Sequence, residues 1–265
     1  MGIIVKAIDA VLSILSFVQT YPSPPMMKQL PKAPYFILAG DSTTASQSSD
    51  GGGWGDGFLN TTLFEGACGR NFGHNGATTV RFRDEGRWDN VIGTVRQVEH
   101  DYDPFVTIQF GHNDQLPAAK ISLSQYISNL ERFVTEAFAA GATPILVTPL
   151  SRLRYDDSTA RPNIVMDLAD ETMGTITAAY RSNATYIDLN QASTQYLNEI
   201  GPENASTYNL NPTDFNHLNV PGSILFGGIV AELIIQKLDD LEKFGYLRVN
   251  GKLKEDVDHG IYHWP

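Results

Sequence analysis

Five residues of this chain, in order, suit the chemistry of acyl transfer: Ser42, Gly76, Asn113, Asp214 and His217. A serine hydroxyl is a weak nucleophile until a neighbouring base removes its proton. His217 is the candidate base. Asp214, in the same short turn, can accept the imidazole Nδ1–H and so fix the tautomer that leaves Nε2 free. The anion formed when a serine attacks an ester carbonyl needs donors already in place. The Ser42 N–H, the Gly76 N–H and the Asn113 side-chain amide are the candidate oxyanion donors. Each residue also has a plainer reading: Ser42 as a helix cap, Asp214 as a turn residue, Asn113 in an Asx-turn, His217 bonded to backbone at a helix start. Their order, each in a loop beside a strand or helix, favours the chemical reading.

The flanking sequence supplies the elements that must position them. Tyr35–Leu38 is an apolar run leading into Ala39-Gly40-Asp41-Ser42-Thr43-Thr44. It reads as a buried parallel strand that turns at Gly40 into a helix with Ser42 at its N-terminus. Gln47–Gly57 is a Ser- and Gly-rich loop without the Lys-Ser/Thr of a phosphate-binding loop. Trp54–Phe64 predicts a short helix with Trp54, Phe58 and Leu59 on one face. Cys68–Asn75 holds a second strand before Gly76, and Pro104–Phe110 a third before Gly111-His112-Asn113-Asp114. Helices are predicted at Arg87–Glu99 and at Leu123–Ala140. The second carries an apolar face of Tyr126, Ile127, Leu130, Phe133, Val134 and Phe138, closed by Gly141. Thr143–Thr148 and Thr185–Leu189 read as the fourth and fifth strands, with a helix over Ile164–Arg181 between them. The last long helix spans Pro221 to about Lys237, with Asn219 or Val220 near its cap. Alternating strands and helices imply an α/β fold, a three-layer α/β/α sandwich around a five-stranded parallel, flavodoxin-like sheet. The polar loops then meet at the strands' carboxyl ends, where open α/β sheets bind ligands.

Composition narrows the function. The 265 residues are 42% hydrophobic, enough for one sizeable core, and the net charge of −11 argues against a nucleic-acid partner. The single cysteine, Cys68, permits no intramolecular disulfide and no Cys-based zinc site, and is expected to be buried and inert. Six scattered histidines without a His-x-x-x-His pair predict no metal, and no cofactor is expected. In residues 1–20, Lys6 followed by Ala7–Val18 resembles a short signal-peptide core, though Asp9 and the missing A-x-A site speak against it. Lys6, Asp9, Ser13 and Ser16 recur at helical spacing, so an amphipathic helix competes. The stretch is too short in apolar residues to span a membrane. Residues 21–34 form a Pro-rich linker, 35–241 the folded domain, and 242–265 a C-terminal extension, a hairpin or ordered tail. Sequons at Asn60, Asn183 and Asn204 lean towards a secreted, extracellular glycoprotein. A monomer is expected.

Four blocks resemble a known family, the SGNH (GDSL-like) hydrolases. They are Gly40-Asp41-Ser42-Thr43, Asn71-x-Gly73-x-x-Gly76-x-Thr78, Gly111-His112-Asn113-Asp114 and Asp214-x-x-His217. Within it the chain is most similar to the rhamnogalacturonan acetylesterases. That likeness rests also on Gly53-Trp54-Gly55, Glu85-Gly86-Arg87-Trp88-Asp89-Asn90, the run from Phe110 to Asp114, and Thr148-Pro149-Leu150. The resemblance implies a serine esterase, without metal or organic cofactor, that removes O-acetyl groups from a pectic polysaccharide through an acetyl-enzyme. The disulfides of some fungal members are impossible here. The alternatives are an esterase for another acetylated glycan or a short-chain ester, and a non-catalytic carbohydrate-binding protein on the same scaffold. A lipase is disfavoured by the polar, Arg-containing loops.

Pectin is a polyanion and the chain is acidic, so local cations would have to compensate. Arg152 and Arg154 follow the fourth strand and are the candidate substrate contacts, with Arg81, Arg83 and Arg87 as further cations. Trp54 is a candidate to stack on a sugar, with core packing the favoured alternative, and His112, beside Asn113, a candidate substrate contact.

Overall fold

The computed structural model describes residues 32–158 and 160–265. The expectations for residues 1–20, and for the linker up to Pro31, lie outside the described residues.

In chain order the elements are β1 (Pro34–Gly40), α1 (Gly55–Thr61), β2 (Cys68–Asn71), α2 (Thr79–Asp84), α3 (Arg87–Val98) and β3 (Asp103–Gln109). Then come α4 (Leu123–Ala139), β4 (Thr143–Val147), the two-residue strands β5 (Tyr155–Asp156) and β6 (Asn163–Ile164), α5 (Ala169–Ser182) and β7 (Thr185–Ile187). The chain closes with α6 (Leu189–Ala205), α7 (Val220–Ile235), α8 (Asp240–Lys243) and α9 (Gly251–Asp258). β1, β2, β3, β4 and β7 form one parallel sheet in the order β2-β1-β3-β4-β7, while β5 and β6 pair antiparallel outside it. This is the flavodoxin-like order, and its switch point lies between β1 and β3.

The sheet is buried on both faces, as all-parallel sheets are. Alternate β1 residues serve opposite cores. Phe36 and Leu38 join Trp54, Phe58 and the apolar residues of α6, α7 and α9, whereas Ile37 and Ala39 join Trp88, Val91, Leu130 and Phe133 from α3 and α4. The result is the three-layer α/β/α sandwich.

Several local expectations are corrected. No helix follows Ser42; residues 41–45 form a tight turn closed by the Thr44 and Ala45 N–H groups on the Asp41 carbonyl. Trp54 is no surface stacking residue: it is fully buried, donating its indole N–H to Gln109 (2.8 Å). The cause is Gly53, where a Cβ would lie 1.9 Å from the Thr43 carbonyl oxygen, so the loop backbone presses onto β1's end and carries Trp54 inward. On α4 the buried stripe runs Tyr126, Leu130, Phe133, Val134, Ala137; Phe138 turns outward. α5 starts at Ala169 rather than Ile164, because Ile164 belongs to the β5–β6 hairpin. Cys68 is half-buried rather than buried. α6 is absent from the sequence reading, since Gly201-Pro202 interrupts its periodicity at a kink. From Glu242 on, the chain is no separate extension: Leu247 and Leu253 sit in the α7 core, and Tyr196 and Tyr208 grip His263.

Candidate active site

The turn after β1 and the loop before α7 bring Ser42, His217 and Asp214 together. Ser42 Oγ lies 2.9 Å from His217 Nε2, and His217 Nδ1 lies 2.8 Å from Asp214 Oδ2. Asp214 Oδ1 accepts the Asn216 and His217 backbone N–H groups, both at 2.9 Å. Burial works to raise the Asp214 carboxyl, but these bonds and the imidazole together hold it below the ordinary carboxylate range. Asp214 therefore stays ionised, facing Nδ1, and Nε2 is left as the proton acceptor towards Ser42. This line of three side chains could transfer the Ser42 proton to His217.

The loop carrying His217 is tied down at both ends. Leu218 donates its N–H to the Gly52 carbonyl, and Gln47 donates its side-chain amide to the Leu218 carbonyl. Asn219 then caps α7 by accepting the Gly222 N–H, while its own amide holds the Thr207 carbonyl. The Gly-rich loop thus braces the histidine backbone.

The second and third blocks face the same turn. Gly76 adopts φ +71, the left-handed conformation that glycine takes freely. The Ser42 and Gly76 N–H groups donate to nothing among the described residues. Asn113 gives one amide hydrogen to the Ala77 carbonyl (3.0 Å), which fixes the side chain and leaves the second available. Its neighbours hold it from both sides. Asp114 accepts the Thr79 N–H and hydroxyl at the start of α2. His112 is 5% exposed and its Nδ1 lies 3.7 Å from Asp41 Oδ2. Burial first, then the charges of Arg152 and His217, push His112 down to about 3, so the ring is neutral. His112 therefore packs under the site and is no exposed substrate contact.

Asp41 and Asp114 were not singled out from the sequence. Both are buried, and burial, the largest influence, lifts each to about 6. The available signal was adjacency: Asp41 precedes Ser42, and His112 and Asp114 flank Asn113.

The two arginines part company. Arg152 is largely buried. Its Nε donates to Asn216 (2.7 Å), Nη1 to Asp167 (2.9 Å) and Nη2 to the His112 carbonyl (3.4 Å). With the Gln115 amide oriented to satisfy its neighbours, that oxygen accepts from Nη1 and Nη2 as well (3.0 and 3.2 Å). All three nitrogens are engaged, and they join the histidine loop to the asparagine loop. Arg152 is thus a brace with no donor left over for substrate. Arg154 donates once, from Nη2 to Asp167 (2.8 Å). Arg81 and Arg87 are paired with Glu85, and Arg83 with Glu136.

The profile of the GDSL-like Lipase/Acylhydrolase family matches residues 38–223, a span holding all of these loops. The chain belongs to that family. Two relatives of this GDSL-like chain come from Bacillus subtilis. The probable rhamnogalacturonan acetylesterase YesY is 28% identical over 212 residues, 76% of this chain and 92% of YesY. The rhamnogalacturonan acetylesterase RhgT is 34% identical over 125 residues, 46% of this chain and 51% of RhgT. Among solved structures, Axe2, an acetylxylan esterase from Geobacillus stearothermophilus, superposes with a TM-score of 0.56 at 20% identity, over 85% of this chain and all of Axe2. That likeness supports the GDSL-family fold, a parallel sheet flanked by helices.

Proposed function

We propose that the protein is a serine esterase that removes O-acetyl groups from acetylated rhamnogalacturonan through an acetyl-enzyme. The observation that carries the reading is the line Ser42 Oγ, His217 Nε2, His217 Nδ1, Asp214 Oδ2, with both contacts under 3 Å. The two acetylesterase relatives supply the acyl group and the sugar.

His217 takes the Ser42 proton as Oγ attacks the acetyl carbonyl. The carbonyl oxygen becomes an anion held by the Ser42 N–H, the Gly76 N–H and the free Asn113 amide hydrogen. On collapse the C–O bond to the sugar breaks, and His217 passes its proton to the departing sugar oxygen. The acetyl group now sits on Ser42. His217 then takes a proton from water, the hydroxide attacks the acetyl carbon, and acetate leaves as His217 reprotonates Oγ. Asp214 stabilises the imidazolium at both stages. Each oxyanion donor contributes about 10²–10³ in rate.

The test is acetate release from acetylated rhamnogalacturonan, with acetylated xylan and a short-chain ester alongside. Ser42→Ala should fold normally and lose nearly all release. A variant that keeps more than about a tenth of wild-type kcat removes Ser42 from the role.

A further inference from the structure

We infer that Arg154 is the docking group for a uronate carboxylate of the polysaccharide, on the sugar chain beside the ester being cleaved. The inference rests on the reading above that a sugar ester is the substrate, and it names what distinguishes that sugar chain.

A groove of about 590 Å³ is lined by His217, Phe215, Asn211, Arg152, Arg154 and Asp167 among others. Its lining joins His217 and Asp214 of the candidate triad to two guanidinium groups. There Asp167 Oδ2 accepts from both guanidinium groups, Arg152 at 2.9 Å and Arg154 at 2.8 Å. Two guanidinium groups thus share this one carboxylate oxygen. The other groove carboxylate, Asp214, stays ionised and has three N–H partners of its own. Asp170 and Glu171 line a second depression that shares Asp167, and the Glu171 charge acts on Arg152 rather than on Arg154.

The open donors are those of Arg154. Arg152 is 16% exposed at its side chain and all its nitrogens are engaged, whereas Arg154 is 52% exposed. Arg154 Nε and Nη1 donate to nothing among the described residues. Nη2 carries two hydrogens and gives one to Asp167; the second lies beside the free Nε–H or Nη1–H, so one edge of the guanidinium fork remains to take a carboxylate with two parallel hydrogen bonds. The backbone beneath is fixed, since the Arg154 carbonyl accepts the Val165 N–H (2.9 Å) where the β5–β6 hairpin closes. Leu116 and Phe215, each nearly half exposed, give the groove apolar walls for the faces of sugar rings. A chain that alternates neutral sugar and uronate offers a carboxylate within a few rings of many acetyl groups. A neutral chain such as xylan offers none.

The experiment compares acetylated rhamnogalacturonan oligosaccharide with the same material after its uronate carboxyls have been reduced to alcohols. Wild type should show kcat/KM about tenfold higher on the native form, mostly through KM, the scale of one exposed charge-assisted pair. Arg154→Gln should bring that ratio close to one, and Arg154→Lys should restore part of it. A ratio unchanged in Arg154→Gln overturns the assignment. So do equal losses on both substrates, which would make Arg154 a support for the loop. Binding separates this inference from the esterase reading. Ser42→Ala should bind unacetylated rhamnogalacturonan oligosaccharide in calorimetry, and Arg154→Gln in that background should weaken binding about tenfold. That result stands even if wild type releases no acetate, and equal binding by the two proteins overturns the inference whatever the wild type hydrolyses.

Discussion

Replacing Asp41 by Asn is predicted to stabilise the protein at neutral pH and to change it little near pH 4. Asp41 is fully buried beneath Ser42. Burial, with the charge of Asp114 adding to it, lifts the carboxyl from 3.8 to about 6 against the two Thr43 hydrogen bonds and the attraction of His217. Between those values the folded protein keeps a proton that the unfolded chain has released. The Asp41 contribution to wild-type stability therefore falls as pH rises from about 4 to about 6 and levels off above. At about 1.4 kcal/mol per pH unit, the ionised buried carboxylate costs about 3 kcal/mol at neutral pH. Asn cannot ionise, and its Oδ1 can still accept from the Thr43 N–H and hydroxyl. Asp114, also lifted to about 6 chiefly by burial, acts in the same pH window and is common to both proteins. Asp214 and Asp256 are held below the ordinary range, so their contributions are present above about pH 4 and are lost as pH falls further. Urea unfolding of wild type and Asp41→Asn, followed by the fluorescence of buried Trp54 and Trp88, should show a gap that opens from about pH 4 to 6. It should reach about 3 kcal/mol and then stay constant. A gap that does not vary with pH, or an Asn variant less stable than wild type at neutral pH, refutes the reasoning.

Asn113→Ala should lower kcat by about 10²–10³ with little change in KM, because its amide acts as charge develops on the carbonyl oxygen. Steady-state kinetics on a soluble acetyl ester decide it, and a raised KM with kcat intact would make Asn113 a binding residue. Arg152→Ala should destabilise the fold by about 2–4 kcal/mol in urea, since it strips a charged donor from Asn216, Asp167 and the His112 carbonyl. The same variant should lose kcat on charged and neutral esters alike; a loss confined to uronate substrates would make Arg152 a substrate contact.

What could be read from the sequence follows the range of the forces involved. β1, β3 and β4 are short apolar runs ended by turn residues, and α4 carries a clean 3.6-residue stripe, so local pattern was enough. The order of Ser42, Gly76, Asn113, Asp214 and His217 at loop positions was legible for the same reason. α6 was not, because Gly201-Pro202 breaks the period and the helix continues only through packing against α7 and the C-terminal residues. Trp54, between glycines, left sugar stacking and core packing both open. Those glycines are what let the backbone close onto β1's end and bury it. Arg152 and Arg154 are equivalent in sequence, two positions apart on one loop. Only their distant partners, Asn216 and Gln115 for one and open groove for the other, tell them apart.

The central claim is covalent: an acetyl group passes through the Ser42 oxygen. Wild type mixed with an activated acetyl ester, acid-quenched during turnover and mapped by peptide mass spectrometry, tests this most directly. The account predicts a single acetyl ester on the peptide containing Ser42, lost in Ser42→Ala and accumulating further in variants of His217 that still acylate but deacylate slowly. Acetate release with no adduct on Ser42, or an adduct on another side chain that tracks turnover, would contradict it.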